Sequence, residues 1–127
     1  MKKILLVEDD EDLSDLIRTV LTQKAYKVFI SHTSDEGLKM AKEEKPDLIL
    51  MDILLPGMNG AEVVKNLKTV PMVRDIPVLF LTGLLSHSEK DSEEDGVHID
   101  GKKYTTIAKP VNIPTLLSEI EKALKQK

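Results

Sequence analysis

The chain has 127 residues, of which 41% are hydrophobic and 3% aromatic, enough for one domain with an aliphatic core. With 18 Lys and Arg against 22 Asp and Glu, the formal net charge of -4 argues against binding driven by neutralising nucleic-acid phosphates. The absence of Cys excludes disulfides, thiolate metal sites and cysteine nucleophiles.

The first predicted element is a strand at Ile4–Val7. Its apolar residues are consecutive rather than alternating, so both faces demand burial, as in a central strand of a parallel sheet. Lys2 and Lys3 precede it, but Glu8 ends the run too soon for a signal peptide. Leu13, Leu16, Ile17, Val20 and Leu21 then follow the stripe of an amphipathic helix, with Asp10 placed to cap it. Lys27–Ser31 is a shorter, mixed strand suited to a sheet edge. Thr33 and Glu36 have capping-box spacing before a second helix through Leu38 and Ala41. Leu48–Met51 is the next buried strand, and Asn59 with Glu62 repeats the capping device before Val63, Val64 and Leu67. Val78–Leu81 is a fourth strand. A last strand is expected at about Lys103–Ala108. Asn112 then caps a final helix carrying Leu116, Leu117, Ile120 and Leu124. Pro46, Pro77 and Pro114 fall at element edges. No run reaches the ~20 apolar residues that span a bilayer, so a cytoplasmic location is expected.

Strands alternating with helices predict an α/β fold: a doubly wound, five-stranded parallel sheet with helices on both faces. One stretch breaks the pattern. Ser86–Lys103 has no apolar stripe where a fourth helix belongs. Its second half places Asp100-Gly101 between Val97–Ile99 and Lys102–Tyr104, a two-residue hairpin signal. The fourth helix is therefore expected to be shortened or replaced by a hairpin around Val97–Tyr104, feeding directly into the last strand.

Function in such sheets lies beyond the carboxyl ends of the strands. Those ends carry Glu8-Asp9-Asp10, Asp52, Thr82-Gly83 and Lys109-Pro110. In the strand order 2-1-3-4-5, Glu8, Asp9 and Asp52 share one shallow pocket with Thr82 and Lys109 opposite. Three carboxylates stay ionised together only beside positive charge, here Lys109 and a hard divalent cation such as Mg²⁺. A carboxylate beside Mg²⁺, a lysine and a hydroxyl is what phosphoryl transfer to Asp requires. Singly, these residues have plainer readings: Asp10 caps a helix, Thr82 is an ordinary strand residue, Pro56-Gly57 and Asn59-Gly60 form turns. His32, His87 and His98 lack metal-ligand spacing and read as solvated.

ILLVEDD at 4–10, MDILLPGMNG at 51–60, LFLTG at 79–83 and AKPV at 108–111, in this order and at strand ends, make the chain resemble a response-regulator receiver domain of two-component signalling. The resemblance spans essentially the whole chain and implies a stand-alone receiver, residues 1–127, with no effector domain. It implies that Asp52 accepts a phosphoryl group from a phosphohistidine on a sensor histidine kinase or a histidine phosphotransfer protein. Glu8, Asp9, Asp52 and the Leu54 backbone carbonyl would serve Mg²⁺ or Mn²⁺, with Glu8 holding metal-bound water. Thr82 would be the switch hydroxyl, Gly83 would present its N–H to the phosphoryl oxygens, and Lys109 would contact the same group. Lys109-Pro110 would be a cis peptide. Leu54 and Leu84 occupy the positions that tune phosphoryl lifetime and imply slow self-dephosphorylation. The implied role is a switch rather than an enzyme, acting on an unknown downstream protein as a monomer or weak dimer, without nucleic-acid or membrane contact.

The sequence also departs from the family. The usual aromatic three residues before the lysine is Thr106, and Tyr104, read as lying on the same side of the same strand, is the candidate substitute. The output surface is accordingly expected to be rebuilt from Ser86–Tyr104. Three other classes compete. A phosphorylation-independent interaction module would fit the altered output region but not the retained Glu8, Asp9, Asp52, Thr82 and Lys109. A phosphatase of the haloacid-dehalogenase type needs a second acid two residues after its Asp, where this chain has Leu54. A flavin or dinucleotide binder needs a Gly-rich loop after the first strand, where this chain is acidic.

Overall fold

The structure, a computed structural model, describes residues 1–83, 97–99 and 101–125. Its elements in chain order are β1 (Lys3–Val7), α1 (Glu11–Gln23), β2 (Lys27–Ser31), α2 (Ser34–Glu44), β3 (Leu48–Asp52), α3 (Gly60–Lys68), β4 (Val78–Thr82), β5 (Val97–Ile99), β6 (Lys102–Tyr104), β7 (Thr106–Ala108) and α4 (Ile113–Lys125). Five strands form one parallel sheet in the order β2-β1-β3-β4-β7. This is the expected doubly wound order, with β7 as the fifth strand and β2 at an edge.

The consecutive apolar runs divide by strand alternation. Leu5, Val7, Ile49, Met51, Val78 and Phe80 face α2 and α3, meeting Ala41, Val63, Val64 and Leu67. Ile4, Leu6, Leu48, Leu50, Leu79 and Leu81 face α1 and α4, meeting Ile17, Leu21, Leu116 and Ile120. The caps are local. Asp10 Oδ1 accepts from Leu13 N at 3.1 Å, and Asn112 Oδ1 accepts from Thr115 N at 3.0 Å. Asn59 and Glu62 form a complete capping box. The Thr33 box is half made: Thr33 accepts from Glu36 N, while Glu36 Oε1 turns to the His32 N–H at 3.4 Å. Leu16 leaves the expected α1 stripe and is 49% exposed, its place on the buried face taken by Ser14. The Ser14 hydroxyl donates to the Asp10 carbonyl, which lets a polar residue enter the core.

β5 and β6 pair antiparallel, with Ile99 opposite Lys102, forming the expected hairpin. The expected last strand at Lys103–Ala108 is corrected by this pairing. Tyr104 pairs with Val97 inside the hairpin, and only Thr106–Ala108 joins the large sheet. Tyr104 and Thr106 therefore do not share a strand, yet both lie on the same side: Thr106 pairs with Phe80, and Tyr104 packs against Phe80 in the same core. Tyr104 is buried with Ile99 in the α2/α3-side core, its ring edge-on to Phe80 at 5.7 Å and 80°. The hairpin thus covers the sheet face beside α3. The remaining part of the expectation about a fourth helix, on residues 84–96, lies outside the described residues, as do Leu84 and His87.

Gly60 opens α3 hard against the end of β3: a Cβ there would lie 2.5 Å from the Asp52 backbone carbonyl and 2.9 Å from Met51 Cγ. Neither neighbour can move without shifting the strand end. At Gly83 a Cβ would make only ordinary contacts, the nearest at 3.8 Å with Lys109 Cδ. Gly60→Ala is expected to cost about 1–3 kcal/mol of stability. Gly83→Ala is expected to leave stability unchanged or raise it by up to about 1 kcal/mol. Denaturant unfolding of the two variants checks both.

Candidate functional site

The site forms where β1, β3, β4 and β7 end together. Glu8 follows β1 and is fully buried. Its backbone N–H donates to Ser31 O at 2.9 Å, continuing the β1–β2 ladder. Asp9 is exposed at the mouth. Asp52 is the last residue of β3 and only 4% exposed. Carboxylate oxygens of Glu8, Asp9 and Asp52 all lie within 4.8 Å of one another. Across β4, the Lys109 backbone N–H donates to Thr82 O at 2.9 Å, which starts the lysine side chain beside the carboxylates. The Lys109–Pro110 peptide bond is cis.

Lys109 Nζ donates to Asp52 Oδ2 at 3.0 Å. It also forms an ion pair with Glu8 Oε1 at 2.7 Å. The other oxygens are held by backbone. Glu8 Oε2 accepts from Asp10 N at 3.1 Å, and Asp52 Oδ1 accepts from Leu54 N at 3.1 Å. Burial pushes the Glu8 carboxyl up from 4.5 to about 7; Lys109 and the Asp10 N–H oppose the rise, and the Asp52 charge adds to it. Burial works against the Lys109 charge as well, but Glu8 and Asp52 outweigh it and hold the ammonium above the usual lysine value.

With all groups ionised, three carboxylates and one ammonium leave two negative charges in a pocket open at Asp9. An all-oxygen donor set of that charge, with room for water at an exposed mouth, fits a hard divalent cation. Thr82 is buried at the end of β4, and Gly83 is exposed beside the Lys109 stem. The Leu54 side chain is 56% exposed at the rim.

Residues 4–121 match the model of the response regulator receiver domain. This chain belongs to the response-regulator receiver domain family. It is 37% identical over 123 residues to the uncharacterized transcriptional regulatory protein YkoG of Bacillus subtilis, covering 97% of this chain and 51% of that protein. It is 33% identical over 123 residues to the polar-differentiation response regulator DivK of Brucella anthropi, covering 97% of this chain and 96% of DivK. The chain thus spans about half of YkoG and nearly all of DivK. Among solved structures, a CheY-like receiver domain protein from Methanospirillum hungatei matches at a TM-score of 0.80 and 31% identity, covering 99% of this chain and 95% of that one. Receiver domains are phosphoacceptor switches of two-component systems, partnered by histidine kinases and phosphotransfer proteins. Among the described residues, no helix of this receiver is long and apolar enough to cross a membrane.

Two residues near the site differ from, or escaped, the sequence reading. His32, expected to be solvated, is half-buried, and its Nδ1 lies 2.8 Å from the Glu8 carbonyl oxygen. Its position just past the edge strand β2 brings it against the end of β1, a relation that metal-ligand spacing does not report. Ser34 is fully buried at the start of α2 and bonds the loop after Asp52. Its only signal in the sequence is a small polar residue directly after a cap.

The Glu8 shift has a consequence for stability. A carboxyl whose folded value, about 7, exceeds its ordinary 4.5 contributes stability that is fully present below 4.5 and lost as pH rises through about 7. Glu8→Gln removes this titration. In chelator-treated protein, wild type is therefore expected to lose thermal stability relative to Glu8→Gln between about pH 5 and pH 8. Melting curves followed by circular dichroism check this, and parallel pH profiles for the two proteins would refute it.

Proposed function

We propose that Asp52 of this receiver accepts a phosphoryl group from a phosphohistidine on a sensor histidine kinase or a histidine phosphotransfer protein. The resulting aspartyl phosphate would switch contacts with a downstream protein in the cytoplasm. The observation that carries the reading is the Asp52 carboxylate itself. It is buried at a strand end, held by Lys109 Nζ at 3.0 Å, and shares a pocket with Glu8 and Asp9.

A carboxylate oxygen of Asp52 attacks the phosphorus, the P–N bond to the donor imidazole breaks, and the ring departs carrying the bonding electron pair. The backbone N–H of Leu54 fixes one carboxylate oxygen, so the group meets the donor in one orientation. Lys109 places its ammonium beside the incoming phosphoryl oxygens, and Thr82 and the Gly83 N–H lie at the neighbouring strand end to donate to them. Glu8 is already neutralised in part by Lys109, which limits its repulsion of an anionic donor. Glu8, Asp9, Asp52 and the Leu54 carbonyl would hold Mg²⁺ or Mn²⁺, which supplies neutralisation of phosphoryl charge when bound. Such a receiver promotes its own phosphorylation and slow self-dephosphorylation but acts as a switch rather than as an enzyme on other substrates.

Acetyl phosphate with Mg²⁺ is expected to add the mass of one phosphoryl group to the intact protein, and to add nothing to Asp52→Asn or to chelator-treated wild type. Intact mass spectrometry checks this, and an unmodified wild type overturns the reading. The exposed apolar side chain of Leu54 offers no hydrogen bond to orient an attacking water. Leu54→Asn is expected to hydrolyse its aspartyl phosphate severalfold faster than wild type, followed as the decay of the phosphorylated mass after donor removal.

A further inference from the structure

The loop from Asp52 to α3 carries the Leu54 groups that bear on the site. Its ends are tied to the sheet: Ile53 N donates to Leu81 O at 3.0 Å, and Gly60 N donates to Ile53 O at 2.8 Å. Its middle is tied elsewhere. The Ser34 hydroxyl donates to Pro56 O at 3.0 Å and accepts from Met58 N at 3.0 Å. One hydroxyl thus closes a ring around Gly57, using both its donor and its acceptor capacity. Gly57 sits at φ +90°, where a Cβ would lie 2.7 Å from Ser34 Oγ, so the arch is shaped around that oxygen. Ser34 itself is fully buried at the first position of α2, and its helix is capped independently by Thr33.

We infer that Ser34 is a positioning residue: its hydroxyl clamps the Pro56–Met58 arch and thereby holds Leu54, whose N–H orients Asp52 and whose carbonyl is a proposed ligand of the cation. This inference deepens the proposed phosphoacceptor reading and rests on it for its functional meaning. The chain of contacts is short. Between the clamp and Leu54 lies only Leu55, and Leu54 N reaches Asp52 Oδ1 at 3.1 Å. Releasing the clamp removes both bonds to the arch at Pro56 and Met58, so that Leu54 is held from the Ile53 side, by the bonds of Ile53 to Leu81 and Gly60, and by its own contact with Asp52. A buried hydroxyl with two backbone partners on a different element does more than stabilise its own helix, since both bonds cross from α2 to the loop.

The test compares Ser34→Ala with Thr33→Ala in the full chain. Thr33→Ala removes the cap of the same helix without touching the loop. Amide NMR of the metal-free proteins is expected to show that Ser34→Ala shifts the Leu54 and Met58 amides and speeds their hydrogen exchange, whereas Thr33→Ala leaves Leu54 in place. Titration with Mg²⁺ is expected to give a severalfold weaker apparent affinity for Ser34→Ala alone, with the rate of phosphorylation by acetyl phosphate recovering towards wild type at saturating Mg²⁺. Two results overturn the inference: Leu54 unmoved in Ser34→Ala, or moved equally by Thr33→Ala. If wild type takes no phosphoryl group, the proposed function fails by itself, while the amide comparison still decides whether Ser34 positions Leu54.

Discussion

Two acidic side chains, Glu8 and Asp52, are buried at the end of a sheet whose buried residues are mostly apolar. Such burial strips hydration from charge and is tolerated only where compensation is built in. Here it comes from one ammonium, Lys109 Nζ, which touches both carboxylates, and from the backbone N–H groups of Asp10 and Leu54. The rest of the architecture serves this arrangement. β1 and β3 must be neighbours for Glu8 and Asp52 to meet, and β7 must pair with β4 for Lys109 to reach across. The register of that last pairing, with Thr82 opposite Ala108, sets the lysine on the correct side. A slip of one residue would turn its side chain to the opposite face and leave two buried carboxylates without their cation.

The pocket is tense rather than relaxed. Glu8 is pushed up to about 7 because burial outweighs the stabilisation Lys109 provides, and Lys109 is itself held charged by the same carboxylates. A single cation shared between two acids, with a third acid at an open mouth, leaves negative charge in excess. An acidic cluster of that kind could hold a hard divalent cation. The phosphoacceptor reading proposed for Asp52 draws on this imbalance.

The segment before the last strand is where this receiver differs from the pattern its motifs suggest. The β5–β6 hairpin inserts Ile99 and Tyr104 into the core beside α3, with Tyr104 edge-on to Phe80 and the Lys68 and Lys102 ammonium groups 5.6 and 5.2 Å from its ring centre. Tyr104 is a buried anchor of the hairpin, and Thr106 on β7 has no aromatic ring to offer.

Much of the fold was legible in the amino-acid order. Strands β1, β3 and β4 announced themselves as consecutive apolar runs, because a strand buried on both faces has no polar side to show. The caps at Asp10, Asn59 and Asn112 are readable because a side chain bonding a backbone N–H three residues on is a local interaction. The candidate site was legible as a set of residue types at strand ends, once a parallel order was assumed. What escaped depended on distance. Leu16 leaves the buried stripe and Ser14 joins it because the neighbouring surface, not the periodicity, chooses the face. Tyr104 belongs to the hairpin because Val97 is available to pair with it. His32 and Ser34 matter through bonds to Glu8 and to the Pro56–Met58 arch, each more than 20 residues away along the chain. By itself, the sequence determined the elements, their caps and the inventory of charged groups, since these rest on short-range hydrogen bonding and on the period of apolar residues. Only the tertiary structure decided which carboxylates share Lys109 and which hydroxyl holds the loop. Those contacts exist only after strand order and register bring distant residues within bonding reach.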